Sequence, residues 1–392
     1  MPLGLLEEPA ASPLAQLLLG RRSDPDSERG VECPGELPAT SDPRLVERAA
    51  AAKAALGERV VILGHHYQRD EVIAFADVTG DSYKLARDAG ARPEAEHVVF
   101  CGVHFMAESA DILTADTQAV LLPDLAAGCS MADMASAEQV AEAWDVLTDA
   151  GLAGSTTPIT YMNSSAAIKA STGAHGGTVC TSSNARSALG WAFGERAAER
   201  VFFLPDQHLG RNTAVRELGL GLDDCVLYDP HKPGGGLTTR QLRDARMVLW
   251  RGHCSVHGRF SAANVADVRG RVPGVQVLVH PECRYEVAEA ADLVGSTEMI
   301  IKTVEQAPAG SSWAIGTELN LVRRLAARHP DKTIAYLDKT VCFCSTMNRI
   351  DLPHLVLTLE SLVRGEVLNR ITVEPGIAAD ARIALEQMLR LP

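Results

Sequence analysis

The sequence predicts an α/β protein made of three repeated units, each with a parallel sheet covered by helices, which fold so that their cysteine-bearing turns meet at one point. Short apolar, strand-like runs alternate with helical patterns over most of the 392 residues. A unit with the same order of elements occurs three times. Each unit also ends in an apolar run that stops in a cysteine-bearing turn, at residues 121–129, 248–254 and 334–344.

The N-terminal residues 1–40 are rich in Pro, Ser, Asp, Glu and Gly, which predicts a flexible extension with one short helix near residues 14–19. Asp42 and Pro43 form a cap-then-first-turn pair, and we expect a helix from there to Leu56. The first unit then spans residues 41–130. Two amphipathic patterns, at 352–363 and 378–391, predict closing helices within 350–392 that complete this unit.

Each unit begins with a strand that ends in polar residues, and a helix follows it. A hydroxyl residue then opens a second helix, and a second strand, a helix and the third strand come after it. The first strands are predicted at 60–67, 158–163 and 275–282, and the second strands at 98–101, 201–206 and 313–318. The second unit (131–256) carries insertions near 135–157 and 213–245, and the third unit spans 257–349.

The composition excludes several classes of function. The net charge of -13, from 37 basic and 50 acidic residues, argues against a nucleic-acid-binding surface. An apolar run of about 18 residues, as a membrane span requires, does not occur, and the first 20 residues lack the basic region of a signal peptide. We therefore expect a cytoplasmic protein, in which nine cysteines serve metal binding or packing and not disulfides.

The carboxyl ends of parallel strands meet at one edge of a sheet, where ligands bind. We therefore expect the polar residues at these ends to line one site. They are His65, His66, Tyr67, Ser82, Cys129, Tyr161, Asn163, Ser182, Cys254, His257, His280, Glu282, Ser296, Thr297 and Cys344.

Three thiolates from equivalent positions suit a metal or cluster that keeps one coordination position open, and soft thiolates favour iron–sulfur or zinc. A three-cysteine zinc site usually takes two ligands from a close C-x2-C pair, which this chain lacks. In the third unit Cys342 and Cys344 fall on the same side of an extended chain, so either of them could reach the metal.

The other polar residues allow two interpretations each. Ser82, Ser182 and Ser296 could bind anions at helix starts, or could simply cap the helices. His65 and His280 could be structural, hydrogen-bonded residues or part of a functional ring. Glu282 could act as a general acid or base in a dry pocket, or be a surface carboxylate.

Eight ordered motifs between residues 60 and 357 resemble the quinolinate synthases. The motifs are GHHYQ at 64–68, GDS at 80–82, FCGVHFMAE at 100–108, AGC at 127–129, YMN at 161–163, TSSN at 181–184, HPE at 280–282 and GST at 295–297. The resemblance implies three αβα domains around a pseudo-threefold axis with the active site at their junction, and one cysteine from each domain on a 4Fe-4S cluster.

The resemblance implies a condensing and dehydrating, transferase-type enzyme. It would combine iminosuccinate (iminoaspartate) with dihydroxyacetone phosphate to give quinolinate, phosphate and water in de novo NAD biosynthesis, with an L-aspartate oxidase as the supplier of the imine. The implied cluster ligands are Cys129, Cys254 and Cys344, the last because it stands three residues before Met347. The implied substrate-binding residues are His65, Ser82, Tyr161, Met162, Asn163, Ser182, His280, Pro281, Glu282, Ser296 and Thr297.

One iron without a protein ligand would act as a Lewis acid. Glu282, Tyr67 and His257 are the candidates for proton transfer. Cys342 could form a redox-sensitive pair with Cys344. Two other classes stay open: a different iron–sulfur hydro-lyase acting on a small carboxylic acid, and a non-enzymatic iron or redox sensor, which the acidic charge balance disfavours.

Overall fold

The computed structural model describes residues 36–340 and 343–392. Most of the predicted N-terminal extension, the predicted helix near 14–19 and Cys342 lie outside the described residues. The described strands, in chain order, are β1 (Val60–His65), β2 (Val78–Gly80), β3 (His97–Cys101), β4 (Ala119–Leu121), β5 (Thr156–Tyr161), β6 (Thr178–Cys180), β7 (Arg200–Leu204), β8 (Cys225–Tyr228), β9 (Met247–Trp250), β10 (Gln276–Val279), β11 (Leu293–Val294), β12 (Ser312–Gly316), β13 (Thr333–Tyr336) and β14 (Arg370–Ile371).

The α-helices of the same part of the chain connect and cover these strands. They are α1 (Leu45–Leu56), α2 (Asp70–Ile73), α3 (Ser82–Ala89), α4 (His104–Leu113), α5 (Ala137–Asp149), α6 (Ala166–Ala174), α7 (Ala185–Phe193), α8 (Gln207–Asn212), α9 (Thr239–Asp244), α10 (Ala262–Arg271), α11 (Tyr285–Ala290), α12 (Thr297–Gln306), α13 (Leu319–Arg328), α14 (Leu352–Val363) and α15 (Pro375–Arg390). Among all described residues, no helix combines the length and the apolar character that crossing a bilayer requires.

The strands form three sheets. Their orders are β14-β4-β3-β1-β2, β6-β5-β7-β9-β8 and β11-β10-β12-β13. Every pairing between these strands is parallel except that of β14 with β4. The predicted α/β class, with parallel sheets flanked by helices, is confirmed.

Four strands follow the same order in all three sheets: an edge strand (β2, β6 or β11), the first strand of the unit (β1, β5 or β10), the second strand (β3, β7 or β12) and the third strand (β4, β9 or β13). The first strand ends beside the end of its edge neighbour, as in the pairs His65–Gly80 and Tyr161–Cys180. The polar residues that follow the first strands therefore leave each sheet at its carboxyl edge. In the third sheet β10 ends at Val279, so that His280, Pro281 and Glu282 form the turn that follows.

Three local expectations differ from the structure. The sequence analysis did not predict the short strands β2 and β11, which lie beside the first strands of their sheets, or β14. The inserted residues 213–245 contain a strand that the sequence analysis did not predict, β8, which pairs in parallel with β9 and widens the second sheet. Helix α1 begins at Leu45, two residues later than the Asp42–Pro43 pair suggests. The Asp42 carboxylate instead accepts the N–H of Arg44 at 2.9 Å, which makes a turn before the helix.

The C-terminal helices lie against two different units. Helix α14 packs on α1, where Arg48 donates two hydrogen bonds of 2.7 Å to Glu360. Helix α15 runs along α6 so closely that a Cβ at Gly173 would lie 2.1 Å from the carbonyl oxygen of Asp380. The end of the chain thus joins the first and second units.

Candidate active site

The turns after the three first strands meet. Tyr161, at the end of β5, donates its hydroxyl to Glu282 Oε1 at 2.5 Å. Tyr67, two residues after β1, has its hydroxyl 3.1 Å from Thr297 Oγ1. Side chains that the sequence places in three different units are therefore in direct contact.

Glu282 is buried in a polar cluster. Its Oε2 lies 2.6 Å from His257 Nδ1, and the His257 ring stacks on His280 with centroids 4.4 Å apart. Burial by itself would raise the pKa of Glu282, but the two histidines and the hydroxyl of Tyr161 outweigh it and lower the pKa. Glu282 is therefore a carboxylate at neutral pH and can accept a proton.

The two tyrosines are hydroxyl donors. Burial, and next the charge of Glu282, raises the pKa of Tyr67 and of Tyr161 well above the usual value. The Tyr67 hydroxyl also lies 2.7 Å from Thr317 Oγ1, and His257 Nε2 lies 3.1 Å from the same oxygen. Thr317 thus connects the Tyr67 side of the site with the Glu282 side, a role that the sequence analysis missed.

His65 and His280 are neutral. Burial, with the neighbouring His66 for His65 and His257 for His280, lowers the pKa of each to about 3. His65 Nδ1 accepts the backbone N–H of Tyr67 at 3.1 Å. Neutral imidazoles here can donate and accept hydrogen bonds without adding charge to the pocket.

The three predicted cysteines converge on this pocket. Burial raises the pKa of Cys129 to about 12, and it raises the pKa of Cys254 and Cys344 as well. The charges of Cys129 and Cys344 each raise the pKa of Cys254 further, since the three sulfurs lie within reach of one another's fields. Asn163 Nδ2 lies 3.9 Å from Cys129 Sγ.

Such thiols ionise only when a cation offsets the cost of burial, and a bound metal provides that. The donor set of three partly buried cysteines therefore fits an iron–sulfur cluster. A second group of ligand atoms overlaps with it, because one atom each of Cys254, His257 and Glu282 lies within 4.8 Å of the other two.

Buried carboxylates sit behind two of the cysteine turns. Glu318 caps α13, and its Oε1 accepts the N–H of Cys344 at 3.3 Å. Asp206 caps α8, as Glu318 caps α13. Burial raises the pKa of Asp206, and the nearby N–H of Cys254 acts in the opposite direction. Asp206 Oδ2 has no hydrogen-bond partner among the described residues. In the first unit the apolar Val103 caps α4, so the first cysteine turn has no such carboxylate at this position.

The hydroxyl residues at the helix starts divide into two kinds. Ser296 caps α12 by accepting the N–H of Met299 at 3.3 Å, which is the capping role. In the first unit the cap of α3 is Asp81 and not Ser82, and Ser183 donates to that Asp81 at 2.5 Å. Within 36–340 and 343–392, the Ser82 and Ser182 hydroxyls have no hydrogen-bond partner, and both are partly exposed.

Two predicted substrate-binding residues contact the scaffold. Met162 Sδ lies 3.3 Å from the hydroxyl of Ser109, and the carbonyl of Pro281 accepts a hydrogen bond from Asn212. His66, which had no assigned role, lies 3.0 Å from Glu298. Three further polar residues of the site follow the second strands of their units: Asp206, Thr317 and Glu318. The rule that polar residues at strand ends line the site would have found them if it had been applied to the second strands as well.

The fold and the site together define an α/β protein of three largely parallel sheets, with a buried acid–base cluster beside three cysteines where the carboxyl edges of the sheets meet. A family model described as "Quinolinate synthetase A protein" matches residues 47–390. The chain belongs to the quinolinate synthase family, as the motif resemblance indicated.

Relatives described as quinolinate synthase cover nearly the whole chain. The protein of Streptomyces coelicolor is 72% identical over 383 residues and that of Nocardioides sp. strain JS614 is 68% identical over 383 residues, each alignment covering 97% of both chains. The protein of Corynebacterium glutamicum is 56% identical over 356 residues, which is 91% of this chain and 90% of that one.

Proposed function

We propose that this protein is a quinolinate synthase of de novo NAD biosynthesis. It condenses iminosuccinate with dihydroxyacetone phosphate and releases quinolinate, one phosphate and two waters, which makes it a transferase-type condensing and dehydrating enzyme. The observation that carries the proposal is the contact of Tyr161, Glu282 and His257 beside three partly buried cysteines, because it combines acid–base groups with a soft-metal donor set.

Cys129, Cys254 and Cys344 are the residues that would hold a 4Fe-4S cluster. When bound, the cluster supplies an iron without a protein ligand, a Lewis acid for a substrate oxygen. The three units would be residues 41–130 with 350–392, 131–256 and 257–349, set around a pseudo-threefold axis. The observation in favour is that the carboxyl edges of the three sheets supply one cysteine each.

Glu282 is the base of the proposed reaction. The condensation and the two dehydrations need protons removed and returned, and Glu282 is a buried carboxylate that is ionised at neutral pH, so that its oxygens are available to a proton. The Tyr161 hydroxyl donates to Glu282 Oε1 at 2.5 Å, and His257 Nδ1 lies 2.6 Å from Glu282 Oε2. Tyr67 is placed to donate a proton on the opposite side, with Thr317 linking it to His257.

Substrate binding falls on the remaining polar groups at the junction. The iminosuccinate carboxylates would contact the hydroxyls of Ser82 and Ser182, which are free to take an anion, and the amide of Asn163. His65, Tyr161, Met162, His280, Pro281, Ser296 and Thr297 complete the proposed binding set. The substrates are small anions, consistent with helix starts at α3, α7 and α12 around the pocket.

The supply of iminosuccinate would come from an L-aspartate oxidase, since that imine hydrolyses in water and must be made close to its use. The enzyme would work in the cytoplasm, where thiols stay reduced. Nucleic acids are not expected partners because the net charge is -13.

The test is turnover by the anaerobically purified protein. Iron-loaded enzyme with iminosuccinate and dihydroxyacetone phosphate should form pyridine-2,3-dicarboxylate, detected by chromatography and mass, with one phosphate released per product. Protein that contains iron and sulfide but turns over neither substrate would overturn the assignment. Turnover of a single carboxylic acid without the triose phosphate would indicate a hydro-lyase instead.

A single metal ion is the second candidate occupant, since Cys254, His257 and Glu282 offer three ligand atoms within 4.8 Å. Cysteine, histidine and carboxylate form a usual zinc donor set. Metal analysis separates the two: about four irons and four sulfides with a brown colour support the cluster, and one zinc in a colourless protein supports the single ion.

A further inference from the structure

The helices that follow the three second strands are α4, α8 and α13. The sixth residue of each is Ser109, Asn212 and Arg324, respectively, and all three side chains are buried and polar. A buried polar side chain at the same place in three helices of different sequence is unusual, because such positions normally hold apolar residues. Each of these side chains contacts a site turn, which is the turn after the first strand of a unit. In each case that turn belongs to a different unit from the helix that contacts it.

Arg324, in the third unit, holds the turn after β1 in the first unit. Its Nη1 donates to the carbonyl of His66 at 2.8 Å and its Nη2 to that of Gln68 at 2.6 Å, and these carbonyls flank Tyr67. Asn320, one turn earlier on α13, donates to the carbonyl of Tyr67 itself at 3.0 Å. Three consecutive carbonyls around Tyr67 are therefore fixed from α13.

Asn212, in the second unit, holds the turn after β10 in the third unit. Its Nδ2 donates to the carbonyls of Pro281 and Cys283, both at 2.7 Å, and these carbonyls flank Glu282. One amide group thus uses both of its hydrogens on the two peptide groups beside the proposed base. The chain becomes a π-helix immediately after Asn212, a feature that often marks functional sites.

Ser109, in the first unit, touches the turn after β5 in the second unit. Its hydroxyl donates to Phe105 O at 2.8 Å and lies 3.3 Å from Met162 Sδ, between Tyr161 and Asn163. The preceding residue, Glu108, accepts the N–H of Ala166 at 2.9 Å just beyond that turn. The contacts from α4 are the weakest of the three sets.

We infer that the sixth residues of α4, α8 and α13 are positioning residues that fix the site turn of the next unit in cyclic order. The first unit holds the turn of Tyr161, the second holds that of Glu282, and the third holds that of Tyr67. The inference deepens the proposed function and rests on it for the roles of Glu282 and Tyr67. The contacts themselves do not depend on which reaction is catalysed.

The experiment compares Asn212→Asp and Arg324→Lys with wild type as anaerobic, iron-loaded enzymes. Aspartate has the same shape as asparagine but cannot donate to two carbonyls, and lysine keeps the charge but cannot reach both carbonyls with a planar fork. We expect kcat for quinolinate to fall at least tenfold in each variant. KM should change by less than threefold, and iron and sulfide contents should stay at the wild-type level.

Two substitutions serve as controls. Asn369→Asp removes a buried amide that donates to the carbonyl of Pro123 at 2.9 Å, away from the turns that hold Tyr67, Tyr161 and Glu282. Arg323→Lys changes the exposed neighbour of Arg324 on the same helix. Asn369→Asp should lower the thermal midpoint without changing kcat, and Arg323→Lys should change neither.

Amide hydrogen exchange, read by mass spectrometry, tests the cyclic order separately from activity. Asn212→Asp should speed exchange in the peptide that covers residues 280–284 of the third unit, and Arg324→Lys in the peptide that covers 65–69 of the first unit. Exchange that rises in the variant's own unit, or a kcat fall explained by lost iron, would overturn the inference. A wild type that makes no quinolinate but shows the predicted exchange pattern would overturn only the function.

Discussion

At the level of single residues, Glu282 shows how burial and partners set one protonation state. Burial opposes ionisation, yet His257, His280 and the Tyr161 hydroxyl all stabilise the charged form. The sequence places Glu282 after a strand but cannot give the sign of this balance. The partners come from residues up to 121 positions away in the chain.

The Glu282→Gln variant should keep the cluster and lose turnover. Glutamine can still accept from Tyr161 at the same place but cannot take a proton. A general base contributes about 10²–10⁴-fold, so kcat should fall by a factor in that range. Iron content and the visible spectrum serve as controls for folding, and activity close to wild type would refute the assigned role.

Stability should fall in acid because of His65 and His280. The pKa of each is about 3 in the folded protein and about 6.5 when unfolded, so the unfolded chain binds protons first. Their contribution is fully present above pH 6.5 and is lost as the pH falls towards 3. At pH 5 each should cost about 2 kcal/mol of unfolding free energy.

Urea unfolding of metal-free protein at pH 7 and pH 5 measures this effect. The charged and titratable neighbours of His65 are His66, His280, Glu282 and Arg324, and those of His280 are His257 and Glu282. His65→Asn should lose less stability than wild type between the two pH values. Equal losses in both proteins would show that His65 does not titrate in this way.

At the level of elements, helix contacts decide which glycines can be replaced. Gly173 lies where α6 meets α15, and an added Cβ would come within 2.1 Å of the Asp380 carbonyl. Gly190 lies on the exposed side of α7 with open space where its Cβ would be. Sequence shows two glycines in helical patterns and does not distinguish them.

Gly173→Ala should lower the unfolding free energy by about 1–3 kcal/mol, since α15 must move away to relieve the overlap. The matched change Gly190→Ala should raise it by up to about 1 kcal/mol, because alanine has the higher helix propensity. Thermal unfolding of the two variants side by side is the measurement. A Gly173→Ala protein as stable as wild type would mean that α15 does not lie on α6 as described.

The elements that the sequence predicted well are those with their own signal. Apolar runs followed by polar turns located the first, second and third strands of each unit to within a few residues, because the pattern is local. β8 has only four residues inside an insertion, and its strand character depends on its pairing with β9. The start of α1 was misplaced because Asp42 caps a turn and not the helix.

At the level of the whole molecule, the site exists only where three sheets meet. The sequence predicted that residues after the first strands would come together, and Tyr67, Tyr161 and Glu282 do lie in one polar cluster. It could not predict Asn212 or Arg324 as their supports. The contacts of Asn212 and Arg324 join residues that are 69 and 258 positions apart in the chain. Such contacts follow from the packing of the sheets and leave no periodic signal in the sequence.

The cysteine assignment makes a prediction for the assembled molecule. Cys129→Ala, Cys254→Ala and Cys344→Ala should each abolish the visible iron–sulfur absorbance, because each unit supplies one sulfur. Cys225→Ala, in the edge strand β8, should leave the absorbance unchanged. Full iron and sulfide content in any of the first three variants would remove that cysteine from the proposed ligand set.

The order in which the chain is synthesised gives the Arg324 contacts another meaning. Arg324 leaves the ribosome 258 residues after His66, which at usual elongation rates of about 5–20 residues per second is a delay of roughly 10–50 s. During that time strands β1 to β4 can pair while the carbonyls around Tyr67 have only water as a partner. A nascent or truncated first unit is therefore unable to form a finished pocket, and the polypeptide becomes competent only when nearly all of it has been made.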